Sequence, residues 1–392
     1  MAAGIACETV DLLFEFSTLN GGEKSMLSVL ARLAGRSDLK FRALCPADGP
    51  LADCLRTLQI PVLEFNVRNV DGNRRPSDQL VAELASICAQ HGIRRLHANS
   101  LSMSRLTGQL ARKQPSGTII HTGHLRDIIG LSRAAISDLN RNDALIAVSE
   151  ATRSFHRRQG LDVDGSRCVV IHNGVDPDQF RPRERSALRA ELLPQVPPHS
   201  IVALSVGQIC LRKGQLDAAK AVVDLNRLSH DTMRPVFLVI SGERHSAKDE
   251  SVAYEQAIRD VFNSAGQSER LIMAGYRSDV ELLMNAADVL IHAARQEPFG
   301  RVLLEASASG IPIVATDVGG TQELLRPDVD ALLVPAAQPA AIADAVRKMI
   351  TSPQLASQLS TSARERTTSE FTAEHSATAL ADFWNQCEGR FV

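Results

Sequence analysis

The most constraining feature of the sequence is a regular alternation of short apolar runs with amphipathic segments, a pattern typical of βαβ units and parallel sheets. Two such series occur in the 392 residues. They are separated by the charged, proline-containing stretch 176–200, which we interpret as a linker. The chain is therefore predicted to form two doubly wound α/β domains. Sheets of this kind bind ligands beyond the carboxyl ends of their strands.

The predicted elements follow these two series. Strands are expected at 11–16, 41–45, 62–65, 95–98, 118–121, 144–148 and 168–171, and then at 201–206, 236–241, 271–274, 289–292, 313–316 and 331–334. Helices are expected at 23–33, 79–90, 215–228, 251–263, 280–287 and 301–309, and the last 50 residues are read as helical, ending in 373–386. The predicted domains are 1–180 and 195–370, with a C-terminal helix in 371–392 that packs back toward the first domain.

Composition excludes several functional classes. The 43 Lys and Arg residues balance 45 Asp and Glu residues, and this formal charge of −2 disfavours a nucleic-acid partner. One Trp and two Tyr are too few for a protein that grips bases or sugars mainly by stacking. The seven scattered cysteines include no Cys-x-x-Cys pair, so no disulfide framework or zinc site is expected. Without signal-peptide features or an apolar run of about 20 residues, a cytoplasmic protein is expected.

The sharpest local pattern is EPFGR at 297–301, which continues into an apolar helix containing Glu305. Pro298 suits the first turn of a helix, so the helix is predicted to begin there. Glu297 then lies in the preceding loop, about 12 Å from Glu305 along the axis at 1.5 Å per residue. The apolar neighbours of Glu305 indicate burial, where a carboxylate needs a partner. A surface helix with solvated glutamates is the alternative.

Three glycine-containing loops follow predicted strands, where backbone N–H groups can approach an anion. They contain Asn20-Gly21-Gly22, the segment 207–214 and Gly319-Gly320-Thr321. An ordinary turn is the alternative for the first and third loops, and in the segment 207–214 the alternative for Arg212 is a solvated loop charge. None of them fits a P-loop or a dinucleotide-binding fingerprint.

Residues 297–325, EPFGRVLLEASASGIPIVATDVGGTQELL, resemble the signature of the retaining GT-B glycosyltransferases of the group-1, or family-four, type, in which seven residues separate two glutamates. The IHNGVD segment at 171–176, the Asn-Gly-Gly loop and Lys213-Gly214 extend the resemblance over nearly the whole chain in the expected order. It implies a GT-B fold, with two Rossmann-like domains facing across a cleft. It also implies transfer of a hexosyl group from a nucleotide diphosphate sugar to an acceptor hydroxyl with retention of configuration.

The resemblance places this activity in polysaccharide, glycolipid or cell-surface glycan biosynthesis, with a glycan or lipid-linked acceptor, no cofactor and no metal. Two alternatives stay open: a GT-B sugar-nucleotide epimerase, and a non-catalytic nucleotide-sugar-binding protein. The base, the sugar, the acceptor and the oligomeric state are not encoded in a readable pattern. The basic run at 153–158 is interpreted as a solvated face or a weak peripheral contact with anionic lipid.

The resemblance also implies roles for single residues. Glu297 would hold sugar hydroxyls, Glu305 the ribose, and Lys213 the diphosphate. The family's diphosphate-binding arginine falls on Gln208 here, and Arg212 is a candidate to replace it. A catalytic histidine is expected in the segment 121–127, with His124 the best match and His121 the alternative. The remaining predicted donor-binding residues are Gly22, Arg277, Phe299, Gly300, Arg301, Gly319, Gly320 and Thr321.

Three Asp-x-Asp segments, at 162–164, 176–178 and 328–330, match a metal–nucleotide pattern of the other major glycosyltransferase fold. Each falls in a predicted loop, and the family resembled works without this pattern. They are read as turn residues, and no metal site is predicted.

Overall fold

The computed structural model describes residues 8–115, 117–228 and 234–388. It contains two parallel sheets, of seven and six strands, which confirms the predicted α/β class with two doubly wound sheets. The chain divides into two compact units. One contains the chain up to Gly174 together with the segment from Ala373 onward, and the other is Val175–Thr372. The outer ends of the predicted domains, at 1–7 and 389–392, lie outside the described residues.

The first unit alternates strands and helices along its main segment. Its elements are β1 (Glu8–Leu13), α1 (Gly21–Leu33), β2 (Leu39–Cys45), α2 (Pro50–Thr57), β3 (Val62–Glu64), α3 (Ser77–Gln90), β4 (Arg95–Ala98), α4 (Leu101–Ala111), β5 (Ile120–Leu125), α5 (Arg133–Leu139), β6 (Ala144–Ala147), α6 (Glu150–Arg157) and β7 (Cys168–Val170). The strand order is β3-β2-β1-β4-β5-β6-β7.

The second unit repeats this plan. Its elements are α7 (Arg185–Leu192), β8 (Ile201–Val206), α8 (Gln215–Leu228), β9 (Val236–Ser241), α9 (Asp249–Ser264), β10 (Leu271–Gly275), α10 (Val280–Ala286), β11 (Val289–His292), α11 (Arg301–Ala308), β12 (Ile313–Thr316), α12 (Thr321–Leu324), β13 (Leu332–Val334), α13 (Pro339–Thr351) and α14 (Pro353–Glu370). The strand order is β10-β9-β8-β11-β12-β13. The last helix, α15 (Ala373–Glu388), belongs to the first unit.

Both sheets reverse their direction of growth next to their first strand. In the first sheet β1 lies between β2 and β4, and in the second β8 lies between β9 and β11. Such a switch point separates the loops that leave the two neighbouring strands and opens a crevice at their carboxyl ends. The loops after β1 and β4, and those after β8 and β11, are therefore the positions where side chains can converge on a ligand.

Burial on both sheet faces explains why these strands are apolar runs. In the first unit Val10 and Leu12 pack with α1 and α15 on one face, whereas Leu13 packs with α3 and α4 on the other. Helix α15 contributes Phe383 and Trp384 to the first of these clusters. The C-terminal helix is thus a buried layer of the first unit, and its removal would expose the core on that face.

Several local predictions differ from the structure. The stretch 176–200, interpreted as a linker, contains α7, whose Arg189 donates to the carboxylate of Asp288 at 2.7 Å within the second unit. The strand predicted at 118–121 is instead Ile120–Leu125, so it extends further towards its carboxyl end. Helices α2, α4, α5 and α6 were not predicted. Among the described residues, no helix is long and apolar enough to cross a bilayer.

Candidate functional site

Glu297 is the centre of a buried polar cluster in the second unit. Its Oε2 atom accepts a hydrogen bond from Lys213 Nζ at 2.6 Å and lies 2.8 Å from His292 Nε2. Lys213 ends the turn Leu211–Lys213 that follows β8, and His292 is the last residue of β11. Because β8 and β11 are neighbours at the switch point, side chains separated by 84 positions meet at one edge of the sheet.

Burial and the neighbouring charges together set the protonation of Glu297 and His292. Burial raises the pKa of Glu297, but the charge of Lys213 and the hydrogen bond from His292 outweigh it, so the pKa is lowered well below its ordinary value. Burial lowers the pKa of His292, and the positive charges of Lys213 and Arg212 act in the same direction. A neutral imidazole next to a carboxylate must donate, so His292 presents Nε2–H to Glu297. The site thus holds an ionised glutamate oriented by a neutral histidine.

The loop after β8 depends on two glycines in left-handed or related conformations. Gly214 has φ +67, and a Cβ atom there would lie 1.8 Å from the carbonyl oxygen of Ala293. At Gly207, φ +133, a Cβ atom would lie 3.7 Å from Cε of Lys213. The loop therefore packs directly on the segment after β11, which brings the Lys213 side chain onto Glu297.

Arg212 and Gln208 lie in this same loop. Arg212 is close enough to His292 for its charge to lower the histidine pKa, and its carbonyl oxygen accepts from the N–H of Arg295 at 2.8 Å. The carbonyl oxygen of Gln208 accepts from Gln215 Nε2 at 2.8 Å. These contacts hold Arg212 beside the Lys213 cluster. Its replacement of the family arginine stays a prediction.

The start of the helix predicted at 301–309 is confirmed, whereas Pro298 does not lie in its first turn. Helix α11 begins at Arg301, because Gly300 precedes it with φ +108, a conformation that interrupts the helical path. Phe299 is buried and its ring centroid lies 5.7 Å from that of Phe371. Phe299 therefore anchors the loop that presents Glu297, and it does so through core packing.

Glu305 has a protein partner in the structure. Its Oε1 atom accepts from Arg301 Nη2 at 2.8 Å, one helical turn away, and the two side chains are 13% and 23% exposed. A second predicted donor-binding cation, Arg277, makes two hydrogen bonds to Asp279, of 2.6 and 2.7 Å. Both predicted cations thus have carboxylate partners within their own segments.

The Gly319-Gly320-Thr321 turn supports Glu297 rather than offering all of its N–H groups to an anion. The N–H of Gly320 donates to the carbonyl oxygen of Glu297 at 2.9 Å. The N–H and hydroxyl of Thr321 both donate to the carbonyl oxygen of Val318, at 3.1 and 2.8 Å. Gly319 has φ +56, the left-handed conformation that the turn requires. The N–H groups of Gly320 and Thr321 are thus bonded within the chain, and the role of this turn in donor binding stays a prediction.

A second polar cluster lies at the carboxyl ends of the strands in the first unit. Arg126, which follows β5, donates to the carbonyl and side-chain oxygens of Asn99 at 3.0 and 2.8 Å and to Asn173 Oδ1 at 2.9 Å. Asn99 Nδ2 donates to the carbonyl oxygen of Gly22 at 3.1 Å. A Cβ atom at Gly22 would lie 3.1 Å from Cδ of Arg126. The predicted loop of Gly22 is thus joined to the ends of β4, β5 and β7.

The two candidate histidines lie inside β5. His124 is 4% exposed and its Nδ1 atom lies 2.7 Å from His97 Nε2. His121 is 3% exposed, and within the described part of the chain its buried Nδ1 atom has no hydrogen-bond partner. His124 is the nearer of the two to the carboxyl end of the strand and to Arg126. The choice between the two histidines stays a prediction.

His292 and Asn99 were not predicted as site residues. His292 closes an apolar run and was read only as the end of a strand. Asn99 directly follows a strand at the switch point, where a polar side chain is a usable signal for a binding residue. In residues 8–115, 117–228 and 234–388, no group of three or more His, Cys, Asp or Glu side chains is arranged to hold a metal ion.

Asp330, from the Asp-x-Asp segment at 328–330, has a structural role. Its carboxylate accepts from the main chain and guanidinium of Arg326, at 2.8 to 2.9 Å, and from Ser362 Oγ at 2.8 Å. Burial raises the pKa of Asp330, but these hydrogen bonds outweigh it and hold the pKa at about 2. The residue therefore ties the loop before β13 to α14.

We expect Asp330→Asn to lower the free energy of unfolding at pH 7 by on the order of 2 kcal/mol. The pKa of this group is lower in the folded chain than its usual value of 3.8. Its contribution is therefore present above about pH 4 and is lost as the pH falls towards 2. Urea denaturation at both pH values measures the difference, with exposed Asp328→Asn as the control. A deficit that is unchanged at the lower pH would argue against this role.

Comparison with known proteins agrees with these two units. Residues 194–366 match the family described as glycosyl transferases group 1, and residues 19–179 match glycosyltransferase family 4. A D-inositol 3-phosphate glycosyltransferase from Xylanimonas cellulosilytica is 27% identical, over 92% of this chain and 89% of that protein. An enzyme of the same name from Geodermatophilus obscurus is 31% identical, over 71% and 65%.

Solved structures agree on the fold. The crystal structure of Anabaena HepE in complex with UDP-glucose superposes with a TM-score of 0.81 at 21% identity, covering 96% of this chain and 99% of that one. The sheet order, the two family matches and the curated relatives lead to one assignment. The chain belongs to the group-1 glycosyltransferases and has their two-domain GT-B fold.

Proposed function

We propose that the protein transfers a hexosyl group from a nucleotide diphosphate sugar to an acceptor hydroxyl with retention of configuration. The observation that supports this most is the contact of Lys213 with Glu297 beside neutral His292 at the β8–β11 switch point. UDP-glucose is the first donor to test, because HepE binds it on the same fold. The proposed pathway is polysaccharide, glycolipid or cell-surface glycan biosynthesis, and inositol phosphate is an acceptor class suggested by the relatives.

In this proposal Lys213 binds the diphosphate. Negative charge develops on the leaving diphosphate as its bond to the sugar breaks, and a fixed cation in a poorly solvated site stabilises it. Lys213 is 14% exposed, so little solvent screens its charge. Arg212, from the same turn, supplies a second cation. We propose that these two side chains provide the positive charge and that no metal is required.

Glu297 and Glu305 are proposed to bind the two ends of the donor. An ionised carboxylate only accepts hydrogen bonds, and sugar hydroxyls are donors, so Glu297 would hold the transferred sugar. Its imidazole partner His292 and the N–H of Gly320 fix its orientation. Glu305 would accept from the ribose hydroxyls, sharing its carboxylate with Arg301. Hydrogen bonds at both ends orient the anomeric carbon towards the acceptor.

Retention follows if the acceptor approaches from the face that the diphosphate leaves. The departing phosphate oxygen is then near the acceptor hydroxyl and can take its proton, and we therefore assign no protein general base. The polar groups of the first unit, at Gly22, Asn99, Arg126 and His124, are proposed to bind a sugar substrate. The 1H NMR coupling of the anomeric proton in the product measures the configuration.

A thermal-shift screen with UDP-, GDP- and ADP-sugars tests the donor site. One nucleotide class is expected to stabilise the chain by about 2.7 kcal/mol at 100 times its Kd. Lys213→Ala should lose most of this shift and Glu305→Ala part of it, whereas exposed Lys220→Ala should keep it. If no nucleotide sugar stabilises the protein, or if Lys213→Ala is stabilised as strongly as the unmodified chain, the site assignment is wrong.

A second candidate, a non-catalytic nucleotide-sugar-binding protein, is favoured by Gln208 at the position of the family arginine. Incubation with the donor alone and with acceptors separates the candidates. Tight donor binding without turnover under any acceptor supports the second candidate. Release of the nucleotide with an epimerised sugar would instead indicate an epimerase.

A further inference from the structure

A chain of aromatic and imidazole side chains crosses the interior of the first unit. The indole Nε1 of Trp384, in α15, lies 3.2 Å from His97 Nδ1 in β4. His97 Nε2 lies 2.7 Å from His124 Nδ1 in β5. The three residues are 2%, 0% and 4% exposed, and their rings meet edge to face. Burial of this kind makes each hydrogen bond directional and costly to leave unmade.

The direction of the hydrogen bonds follows from the first donor. An indole N–H only donates, so His97 Nδ1 must be an unprotonated acceptor. A neutral His97 then carries its proton on Nε2 and donates it to His124 Nδ1. His124 Nδ1 is in turn an acceptor, which leaves the single ring proton of His124 on Nε2. Burial lowers the pKa of His97 to about 3 and holds that of His124 well below its ordinary value, so both rings are neutral at pH 7.

The Nε2 atom of His124 is the last atom of this series of hydrogen-bonded rings. Among the described residues no protein atom lies within hydrogen-bonding distance of it. His124 as a residue is 4% exposed. The charge of Arg126, two residues further on, reaches both imidazoles. The N–H of His124 therefore ends in the polar cluster at the carboxyl edge of this sheet.

We propose that Trp384 and His97 are positioning residues that hold His124 as its neutral Nε2–H tautomer, ready to donate a hydrogen bond to an oxygen of the bound sugar substrate. The substrate class rests on the proposed function, but the tautomer does not. The C-terminal helix thereby has a specific task beyond covering the sheet. Its Trp384 supplies the N–H group that determines which ring nitrogen is protonated, first in His97 and then in His124.

Thr122 provides a second donor to the same atom. Its hydroxyl Oγ1 lies 2.9 Å from His97 Nδ1, and the two residues are paired across β4 and β5. A hydroxyl can donate or accept, so Thr122 adapts to the tautomer, whereas the indole imposes it. Trp384 must therefore be tested in a Thr122→Val background. Of the two donors to His97 Nδ1 described here, that variant keeps only the indole.

Trp384 is the single tryptophan of the chain, which permits a one-atom test. Growth of a tryptophan auxotroph on β-(3-benzothienyl)alanine replaces the indole N–H by sulfur and keeps the ring size. Long-range 1H–15N NMR of the full-length protein then reports which ring nitrogens of His97 and His124 carry protons. In Thr122→Val with tryptophan, both histidines should be protonated on Nε2. With the sulfur isostere, signals of Nδ1-protonated His124 should appear.

The same pair of proteins is compared in sugar transfer. We expect the isostere to lower kcat by about tenfold, the effect of losing one hydrogen bond to the reacting complex, with KM changed by less than about twofold. Phe383→Leu, which disturbs the packing of the same helix without removing a donor, should keep the tautomers. Rescue by ordinary tryptophan in the same background is expected to be complete.

Protonation of His124 on Nδ1 in the unmodified protein would overturn the proposal. Identical tautomers and identical kcat with and without the indole N–H would overturn it as well. The NMR measurement needs neither donor nor acceptor, so its result stands even if no nucleotide sugar is turned over. An error in the proposed function can thereby be distinguished from an error in the positioning role of Trp384 and His97.

Discussion

Lys213→Ala is expected to lower kcat/KM for sugar transfer by about 10²–10³-fold, the effect of removing one preorganised group that stabilises developing negative charge. The lysine is held at the carboxyl end of β8 by the tight loop between Gly207 and Gly214, so another side chain cannot easily take its place. Lys213→Arg keeps the charge and should retain more activity. Initial rates with a saturating acceptor measure the effect, and exposed Lys220→Ala is the matched control.

The same substitution leaves Glu297 buried without its cation. Removing one partner of a buried ion pair costs about 3–5 kcal/mol, so the unliganded variant is expected to be less stable by a comparable amount. The paired change Lys213→Met with Glu297→Gln should recover much of this stability and none of the activity. Urea denaturation separates the two effects. If Lys213→Ala retains full transfer activity, Lys213 does not contact the diphosphate.

Glu297→Gln is expected to give the second largest loss, about 10²-fold in kcat, because an amide is a weaker acceptor for sugar hydroxyls than a carboxylate. Its effect on binding should be opposite to that of the lysine variant. Glu297 is the partner of Lys213 in the unliganded chain, at 2.6 Å. Without that carboxylate the lysine is released for the diphosphate, so the nucleoside diphosphate should bind as tightly as before or more tightly.

Calorimetric titration of the nucleoside diphosphate, alongside initial rates, checks this separation of binding from turnover. Exposed Glu365→Gln serves as the control for a neutralised glutamate elsewhere in the second unit. Weaker nucleotide binding by Glu297→Gln would mean that the carboxylate does not compete with the diphosphate for Lys213. Unchanged kcat would exclude a contact with the transferred sugar.

Much of the fold was predictable because parallel sheets buried on both faces leave a strong pattern of apolar runs. Strands such as Ile201–Val206 and Ile313–Thr316 were predicted at their observed bounds. The start of α11 at Arg301 was also predicted by the range 301–309. The placement of Pro298 in its first turn was wrong, because Gly300 between them has φ +108 and is not helical.

Part of the candidate site was also predictable. The resemblance singled out Lys213 and Glu297, and the switch point brings them together. His292 was missed because one histidine at the end of an apolar run looks like any strand terminus. The contact of Trp384 with His97 joins residues 287 positions apart, and no local sequence pattern predicts such a contact. The contact of Arg301 with Glu305 and that of Gly320 with Glu297 were not predictable either, because they depend on side-chain and loop geometry.

The central claim is that the Lys213–Glu297–His292 cluster binds the diphosphate and sugar of the donor. A crystal structure of the full chain with a nucleotide diphosphate sugar tests it most directly. We predict diphosphate oxygens within hydrogen-bonding distance of Lys213 Nζ, sugar hydroxyls on Glu297 and the ribose on Glu305. A diphosphate bound elsewhere, with Lys213 Nζ still on Glu297 and no contact to the ligand, would contradict the account.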